Sequence, residues 1–337
     1  MNIIFQSNIH GHRAEYVYHL ARRYTERGED FIVWIRQSSP EDAGKFSRFS
    51  NIQKLVTGDF SLAKLQALES EYHIQSIIFL DGDTEFRSIA SIVMRFSRIK
   101  VRALMMRLSF PFDAKLRSLF KWFLKICITY LLNCHPNVSM RKLVFLEKSK
   151  LIALHQVRDP LPMEAERFEV RETRCGGDYQ LAIVGTIDPR KNVDLAIKSL
   201  ENLGKGFNLT LAGEVTPGFK MRLWQLLDKH NDVRVTDEHL TDEELNREVF
   251  SADCILVLQS VNAPSGTMLR ALSIGTPIVV AGARVLRKAS KRYPRNVVWT
   301  KLDATNLASA VIATQGMSRK PIEGLPSPED FAKDLIG

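Results

Sequence analysis

The stretch Cys254 to Ala281, CILVLQSVNAPSGTMLRALSIGTPIVVA, reads as strand, loop, helix, turn and second strand within twenty-eight residues. Cys254-Ile255-Leu256-Val257-Leu258 is apolar without alternation, the pattern of a strand covered on both faces in a parallel sheet. Asn262-Ala263-Pro264-Ser265-Gly266-Thr267 then turns the chain and opens a helix. Ser265 is a natural N-cap and Gly266 lets a ligand approach the backbone. The free N–H groups of that first turn, with the helix dipole, favour an anion. Gly275 closes the helix, and Thr276-Pro277 restarts the chain as the buried strand Ile278-Val279-Val280. The same composition also suits an ordinary capped helix in a βαβ unit, so the loop alone leaves both readings open.

Outward from this stretch the chain keeps alternating strand and helix. Towards the N-terminus, strands are expected at 2–6, 31–35, 76–80, 101–106, 143–146 and 151–155, with helices at 12–27, 62–72, 84–98 and 113–133. A second series begins at 180–184 and continues with helix 192–203, strand 207–211, helix 218–230, strand 233–235 and helix 242–251. After the central stretch come strand 296–299 and helix 306–315. Between the two series, Asp159-Pro160-Leu161-Pro162 is rigid and extended, and the charged residues that follow run into Gly176-Gly177. The expected organisation is an α/β domain over 1–160, a linker over 161–178, a second α/β domain over 179–316, and a tail over 317–337 able to cross back to the first domain.

Glycines and charges at strand ends mark candidate sites. Gly11 lies in the loop after the first strand, where open α/β sheets bind ligands, within His10-Gly11-His12-Arg13. That loop could hold a phosphate or an acceptor, or simply be solvated. The chain contains neither G-x-G-x-x-G nor G-x-x-x-x-G-K-[ST], which counts against a nicotinamide or flavin enzyme and against a P-loop protein. Asp81 and Asp83 end the third expected strand, where a carboxylate either touches an acceptor or caps the next helix; the cap is the commoner use.

Charge is unevenly divided. Residues 1–160 hold 24 Lys+Arg against 15 Asp+Glu, and the remainder holds 23 of each, so the whole net charge of +9 sits in the first half. Between Arg87 and Lys125 ten basic residues face a single acid, Asp113. Such a field attracts anionic lipid or a polyanionic substrate. Nucleic acid is not expected, because the basic region has no motif or aromatic spacing of a known module. The segment 113–133 adds Trp122, Phe123 and a run of aliphatics to Lys115, Arg117, Lys121 and Lys125. That is the pattern of an interfacial membrane helix or of a core helix whose lysines reach outward. Its uninterrupted apolar part is too short to span a bilayer.

Met-Asn-Ile-Ile-Phe runs directly into a strand without a basic or long apolar leader, so a cytoplasmic protein is expected, peripheral on the inner face of the plasma membrane if residues 87–132 meet anionic lipid. Cys127, Cys134, Cys175 and Cys254 lack metal-type spacing and are expected as reduced thiols, with no metal site and no cofactor.

The pattern S-G-T-x-x-R-A-L-x-x-G-T-P-I-V-V from Ser265, with G-T-I-D-P-R-K-N from Gly185 to Asn192, resembles the C-terminal domain of GT-B glycosyltransferases of the family-4 type. The resemblance implies a GT-B architecture: α/β, with two doubly wound Rossmann-like domains facing across a cleft. It implies a transferase that moves a sugar from a nucleotide-diphosphate-sugar to a polysaccharide or lipid-linked saccharide, retaining and metal-independent. In the family, the lysine that meets the donor diphosphate falls at Lys191, with Arg190 beside it and Thr186 where an arginine is common. Donor contacts are then implied at Gly11, Gly185, Thr186, Arg190, Lys191, Asn262, Ser265, Gly266, Thr267 and Arg270, and acceptor contacts at His10, His12 and Arg13. The catalytic set is Lys191, Asn262 and Arg107, the last standing where many relatives place a histidine. The two glutamates of the family's E-x7-E motif are replaced by Asn262 and Arg270, and no Asp or Glu occurs from Cys254 to Leu302. Asn262 still hydrogen-bonds a sugar hydroxyl, but Arg270 cannot accept from a ribose diol and would pair instead with a phosphate or carboxylate. The same departure admits a second reading, a catalytically inactive GT-B protein that serves as a binding or scaffold subunit.

Overall fold

The computed structural model describes residues 1–7, 13–36, 44, 46, 48–106, 108, 116–145, 153–160, 177–228, 230–260 and 265–337. They form two compact units, one of Met1–Pro160 with Pro326–Gly337, the other of Leu161–Leu325.

The first unit is a seven-stranded parallel sheet in the order β3-β2-β1-β4-β5-β6-β7. Its strands are β1 (Asn2–Gln6), β2 (Phe31–Ile35), β3 (Ile52–Thr57), β4 (Ser76–Phe79), β5 (Lys100–Met105), β6 (Val138–Val144) and β7 (His155–Arg158). Helices α1 (Arg13–Glu26), α2 (Leu62–Tyr72), α3 (Phe86–Arg95) and α4 (Leu116–Asn133) connect them. Both faces of the sheet are buried, which explains the unalternating strands. Ile4 and Val33 pack with Tyr16, Val17 and Leu20 of α1, while Ile3, Phe5, Ile32 and Trp34 pack with Leu65 of α2 and Ile89 and Ile92 of α3.

The second unit repeats the plan with six parallel strands in the order β10-β9-β8-β11-β12-β13. They are β8 (Tyr179–Val184), β9 (Phe207–Ala212), β10 (Val233–Thr236), β11 (Cys254–Gln259), β12 (Ile278–Gly282) and β13 (Val297–Thr300). Its helices are α5 (Val193–Leu203), α6 (Pro217–Leu227), α7 (Asp242–Ser251), α8 (Gly266–Ile274), α9 (Arg284–Arg292) and α10 (Ala304–Ile312). In both sheets the strand order reverses beside the first strand, between β1 and β4 and between β8 and β11, and the carboxyl ends there are where doubly wound folds bind ligands.

The tail divides between the units. Arg319 anchors the segment before residue 326 on the second unit, donating to Asp253 at 3.2 Å and to the carbonyls of Ala252 and Phe250 at 2.8 and 2.9 Å. This segment also crosses the end of α8, where a Cβ on Gly275 would meet the backbone of Arg319 to Pro321 within 2.5–2.6 Å. Helix α11 (Pro328–Ile336) instead packs in the first unit. Phe331 stacks on Tyr16 with centroids 5.0 Å apart, and Arg158 pairs with Asp330 and Asp334 at 2.9 Å each.

Several expected boundaries shift. β6 begins at Val138, five residues before the expected strand, because Ser139, Arg141 and Lys142 interrupt its apolar run. β7 occupies His155–Arg158 rather than 151–155. β3 and α9 had no expected counterpart: β3 is a half-exposed edge strand, and α9 is mostly basic. Helix α3 starts at Phe86 and neither Asp81 nor Asp83 caps it. The Ser7 hydroxyl donates to Asp81 at 3.4 Å and Arg13 pairs with it at 3.2 Å, whereas Asp83 accepts from the Met106 N–H at 2.8 Å and from Lys125.

Candidate functional site

The switch point of the second unit is built from the ends of β8 and β11 and the start of α8. β8 ends on Val184, and Gly185 follows with φ of 86°, a left-handed turn that favours glycine. Its neighbour Gly213, at the end of β9, has φ of 135°, and a Cβ there would lie 2.7 Å from the Gly185 carbonyl. Gly213 is therefore needed for the loops to pass this closely, and Gly185 for its left-handed turn. The chain then descends through Asp188 into a single 3-10 turn, Pro189–Lys191, before α5.

That turn aims Lys191 back at the strand end. Its ammonium donates to the Val184 carbonyl at 2.5 Å and lies 3.4 Å from where a Gly185 Cβ would stand. Burial pushes its pKa down to about 8; Asp188 pulls the other way and Arg190 adds to the drop. Among the described residues no carboxylate comes within ion-pair distance of it. Asp188, the nearest acid to influence it, is held by the Arg190 guanidinium at 2.6 Å and by the Arg190 N–H at 2.8 Å. Burial alone would raise the Asp188 carboxyl, but these hydrogen bonds outweigh it and hold it below the ordinary value.

Helix α8 closes the other side. Ser265 caps it, its hydroxyl accepting from the Met268 N–H at 3.2 Å, and the Thr267 hydroxyl donates to the same Val184 carbonyl at 3.3 Å. One carbonyl thus joins Lys191 to the first turn of α8, whose Gly266 and Thr267 N–H groups have no partner from the helix itself. Asn192, with φ of 49°, ties this corner to β11 by donating to the Leu258 carbonyl at 3.0 Å. The result is a half-buried cation and a helix N-terminus converging on one point, an arrangement suited to a phosphate.

Of the expected residues, Gly185, Lys191, Ser265, Gly266 and Thr267 are brought together here. Thr186 is exposed at the rim, and the Arg190 side chain is 75% exposed and engaged with Asp188. Arg270 departs from its expected role. It is buried, and its guanidinium donates to the Asp242 side chain at 2.7 Å, the Asp242 carbonyl at 3.1 Å and Asn246, all on α7. The buried face of α8 therefore uses Arg270 to fasten α7. At the switch point of the first unit, Asp81 pairs with Arg13 and accepts from the Ser7 hydroxyl. His10, Gly11, His12, Arg107 and Asn262 lie outside the described residues, as do Cys175 and most of the expected linker.

Helix α4 turns one face inward, with Trp122 donating to the Leu108 carbonyl at 3.2 Å and Lys125 paired to Asp83. Its other face leaves Phe120, Phe123 and Leu131 at 60–73% exposure beside the exposed Arg117 and Lys121. No helix of the described residues is long and apolar enough to cross a membrane.

No family model matches the chain and no curated protein matches it in sequence. Solved structures match its fold over nearly the full length. Anabaena HepE in complex with UDP superposes with a TM-score of 0.70 at 11% identity, covering 99% of this chain and 94% of that one. WaaG, a glycosyltransferase of lipopolysaccharide biosynthesis, gives 0.67 at 12% identity over 100% of both chains. A UDP-GlcNAc 2-epimerase of Methanocaldococcus jannaschii gives 0.57 at 11% identity, covering 98% and 97%. The chain thus has the two Rossmann-like α/β domains of the GT-B fold, a fold that serves a glycosyltransferase in one neighbour and an epimerase in another.

Proposed function

We propose that the chain is a glycosyltransferase that binds a nucleotide-diphosphate-sugar in its second unit, with Lys191 and the first turn of α8 neutralising the leaving diphosphate. The observation that carries this reading is the half-buried Lys191 ammonium, which has no carboxylate partner among the described residues at a switch-point carboxyl end. A partly desolvated cation without a counter-anion is costly unless a ligand supplies the charge. As the glycosidic bond breaks, negative charge grows on the diphosphate, and a fixed ammonium and helix dipole stabilise that charge more than the ground state. Metal independence follows from giving the cationic role to these groups; retention of configuration and the saccharide acceptor are carried over from the family resemblance. UDP is the first nucleotide to test, because structural neighbours were solved with UDP and with UDP-glucose. The exposed apolar and basic face of α4 supports a lipid-linked acceptor presented at a membrane.

Thermal shift with a panel of nucleoside diphosphates, followed by product analysis with the matching nucleotide sugars, tests the reading. One nucleotide is expected to stabilise the protein, and Lys191→Ala should weaken it about ten- to a hundredfold, the worth of one charge-assisted contact. Product analysis is essential, since an epimerase on this fold would bind a nucleotide sugar equally well. Stabilisation without any product would favour the binding-subunit reading, which the loss of both motif glutamates supports. No response to any nucleotide would remove the donor assignment.

A further inference from the structure

Residues 161–337 carry no net charge, yet the stretch from Cys254 to Leu302 in the second unit carries eight basic residues and no acid. Most of these stand on one surface. Arg284, Arg287, Lys288, Lys291 and Arg292 follow one another on α9 at intervals of three, one, three and one residues, the spacing of a single helical face; Arg295 stands in the turn just after the helix, and all six are exposed. The opposite face of α9 buries Leu286 and Ala289. The helical part of the stripe is about 12 Å long at 1.5 Å per residue.

The helix itself does not favour it. Like charges at i,i+3 and i,i+4 destabilise a helix, and Arg284 and Arg287 in the first turn oppose the helix dipole as well. Lys288, Lys291 and Arg295 have no hydrogen-bond or ion-pair partner among the described residues. Arg287 sits over the Trp299 ring at 4.5 Å and Arg292 over Tyr293 at 5.5 Å, contacts that restrain both guanidinium groups on the surface.

We propose that the outward face of α9 is a docking surface for a linear acidic glycan, a saccharide chain bearing carboxylates, sulfates or phosphates at intervals near the 5.4 Å rise of a helical turn. The surface disfavours two other polyanions on its own chemistry. Arginines already occupy a face of each ring beside it, Trp299 and Tyr293, which leaves less aromatic surface for stacking the bases of a single-stranded nucleic acid. It exposes no large apolar side chain for insertion into a bilayer, in contrast to α4. Preferring a glycan to another soluble polyanion rests on the glycosyl-transfer reading; the anionic docking surface does not.

The test compares the full-length protein with the triple variant Lys288→Gln/Lys291→Gln/Arg295→Gln, and with Arg117→Gln/Lys121→Gln on α4 as a control for the basic first unit. Binding to polygalacturonate is measured beside oligodeoxythymidylate, phosphatidylglycerol vesicles and neutral dextran, over a range of salt. Polygalacturonate should bind, dextran should not, and the triple variant should bind about tenfold more weakly and with a shallower salt dependence, since three exposed contacts are lost. Its melting temperature and nucleotide response should match the parent. Unchanged polygalacturonate binding in the triple variant overturns the proposal, as does equal affinity of this face for oligodeoxythymidylate or vesicles. If no nucleotide stabilises the protein but polygalacturonate still binds through α9, glycosyl transfer fails and the docking surface stands.

Discussion

Lys191 donates to the carbonyl of Val184 at 2.5 Å, and that carbonyl also accepts from Thr267, so the cation of the second unit is held by a strand end and a helix start. Its pKa of about 8, against 10.5 for an ordinary lysine, makes its charge titratable in an accessible range. Nearby phosphate oxygens would raise that value again.

Nucleotide binding should therefore be linked to proton uptake. Above about pH 8 the free protein has lost the Lys191 proton, and a diphosphate must recover it to be bound well. Affinity is expected to fall as pH rises through this value, with the binding heat at pH 8.5 differing between buffers of different ionisation enthalpy. Lys191→Met should bind weakly at every pH and without proton uptake. The unliganded fold runs the opposite way. Because the folded-state pKa is depressed, the unfolded chain holds more protons between about pH 8 and 10.5, so Lys191 adds stability with rising pH there. Equal binding heats in both buffers, with affinity flat from pH 7 to 9.5, would show that Lys191 does not meet the ligand.

Arg270 makes a different kind of prediction. Its buried guanidinium holds α7 to α8 through Asp242 and Asn246, and the Asp242 side chain is half exposed. Removing the charge leaves Asp242 partly within reach of water but the Asn246 side-chain oxygen buried and without this donor, so Arg270→Met should cost about 1–3 kcal/mol. Arg270→Glu, which restores the family residue, should cost more because it sets a second carboxylate against Asp242. In a unit of this size the melting temperature should drop by about 2–4 °C per kcal/mol. Preserved melting with lost nucleotide affinity would return Arg270 to the ligand.

Much of this was legible in the sequence because the buried strands of a parallel sheet are the strongest pattern a chain can show. β1, β2, β8 and β11 are unalternating apolar runs, and the cap at Ser265 and the stop at Gly275 fix α8. The turn that aims Lys191 was legible only through the family spacing, since its geometry depends on Gly213, a residue of a different loop. β6 was misplaced because Arg141, a polar residue in mid-strand, donates to the Asp334 carbonyl of α11, a partner nearly two hundred positions away. The contact of Arg270 with α7 is illegible in the sequence for a similar reason. A helix face is periodic in sequence, but which side meets α7 is decided by packing that no local pattern records.

The last prediction concerns the outer face of α4. Because Trp122 and Lys125 turn inward, the surface that could meet a membrane is narrower than the sequence implied: chiefly Phe120, Phe123 and Leu131, with the less exposed Leu124, beside Arg117 and Lys121. Side chains of this size each contribute about 1.5–3 kcal/mol when fully buried, and a basic residue near an anionic surface about 1 kcal/mol. Apolar contacts should therefore dominate. Wild-type protein should sediment with vesicles containing phosphatidylglycerol at low salt, and Phe120→Ser/Phe123→Ser/Leu131→Ser should abolish sedimentation. Arg117→Gln/Lys121→Gln should weaken it by about ten- to thirtyfold, and that loss should shrink as salt screens exposed charges beyond roughly 8–10 Å. The folded core should tolerate the serine changes, because none of the three side chains is buried. If wild-type protein ignores anionic and neutral vesicles alike but elutes as a dimer that the serine variant dissociates, the face covers a second copy of the chain, and the acceptor must be sought among soluble saccharides.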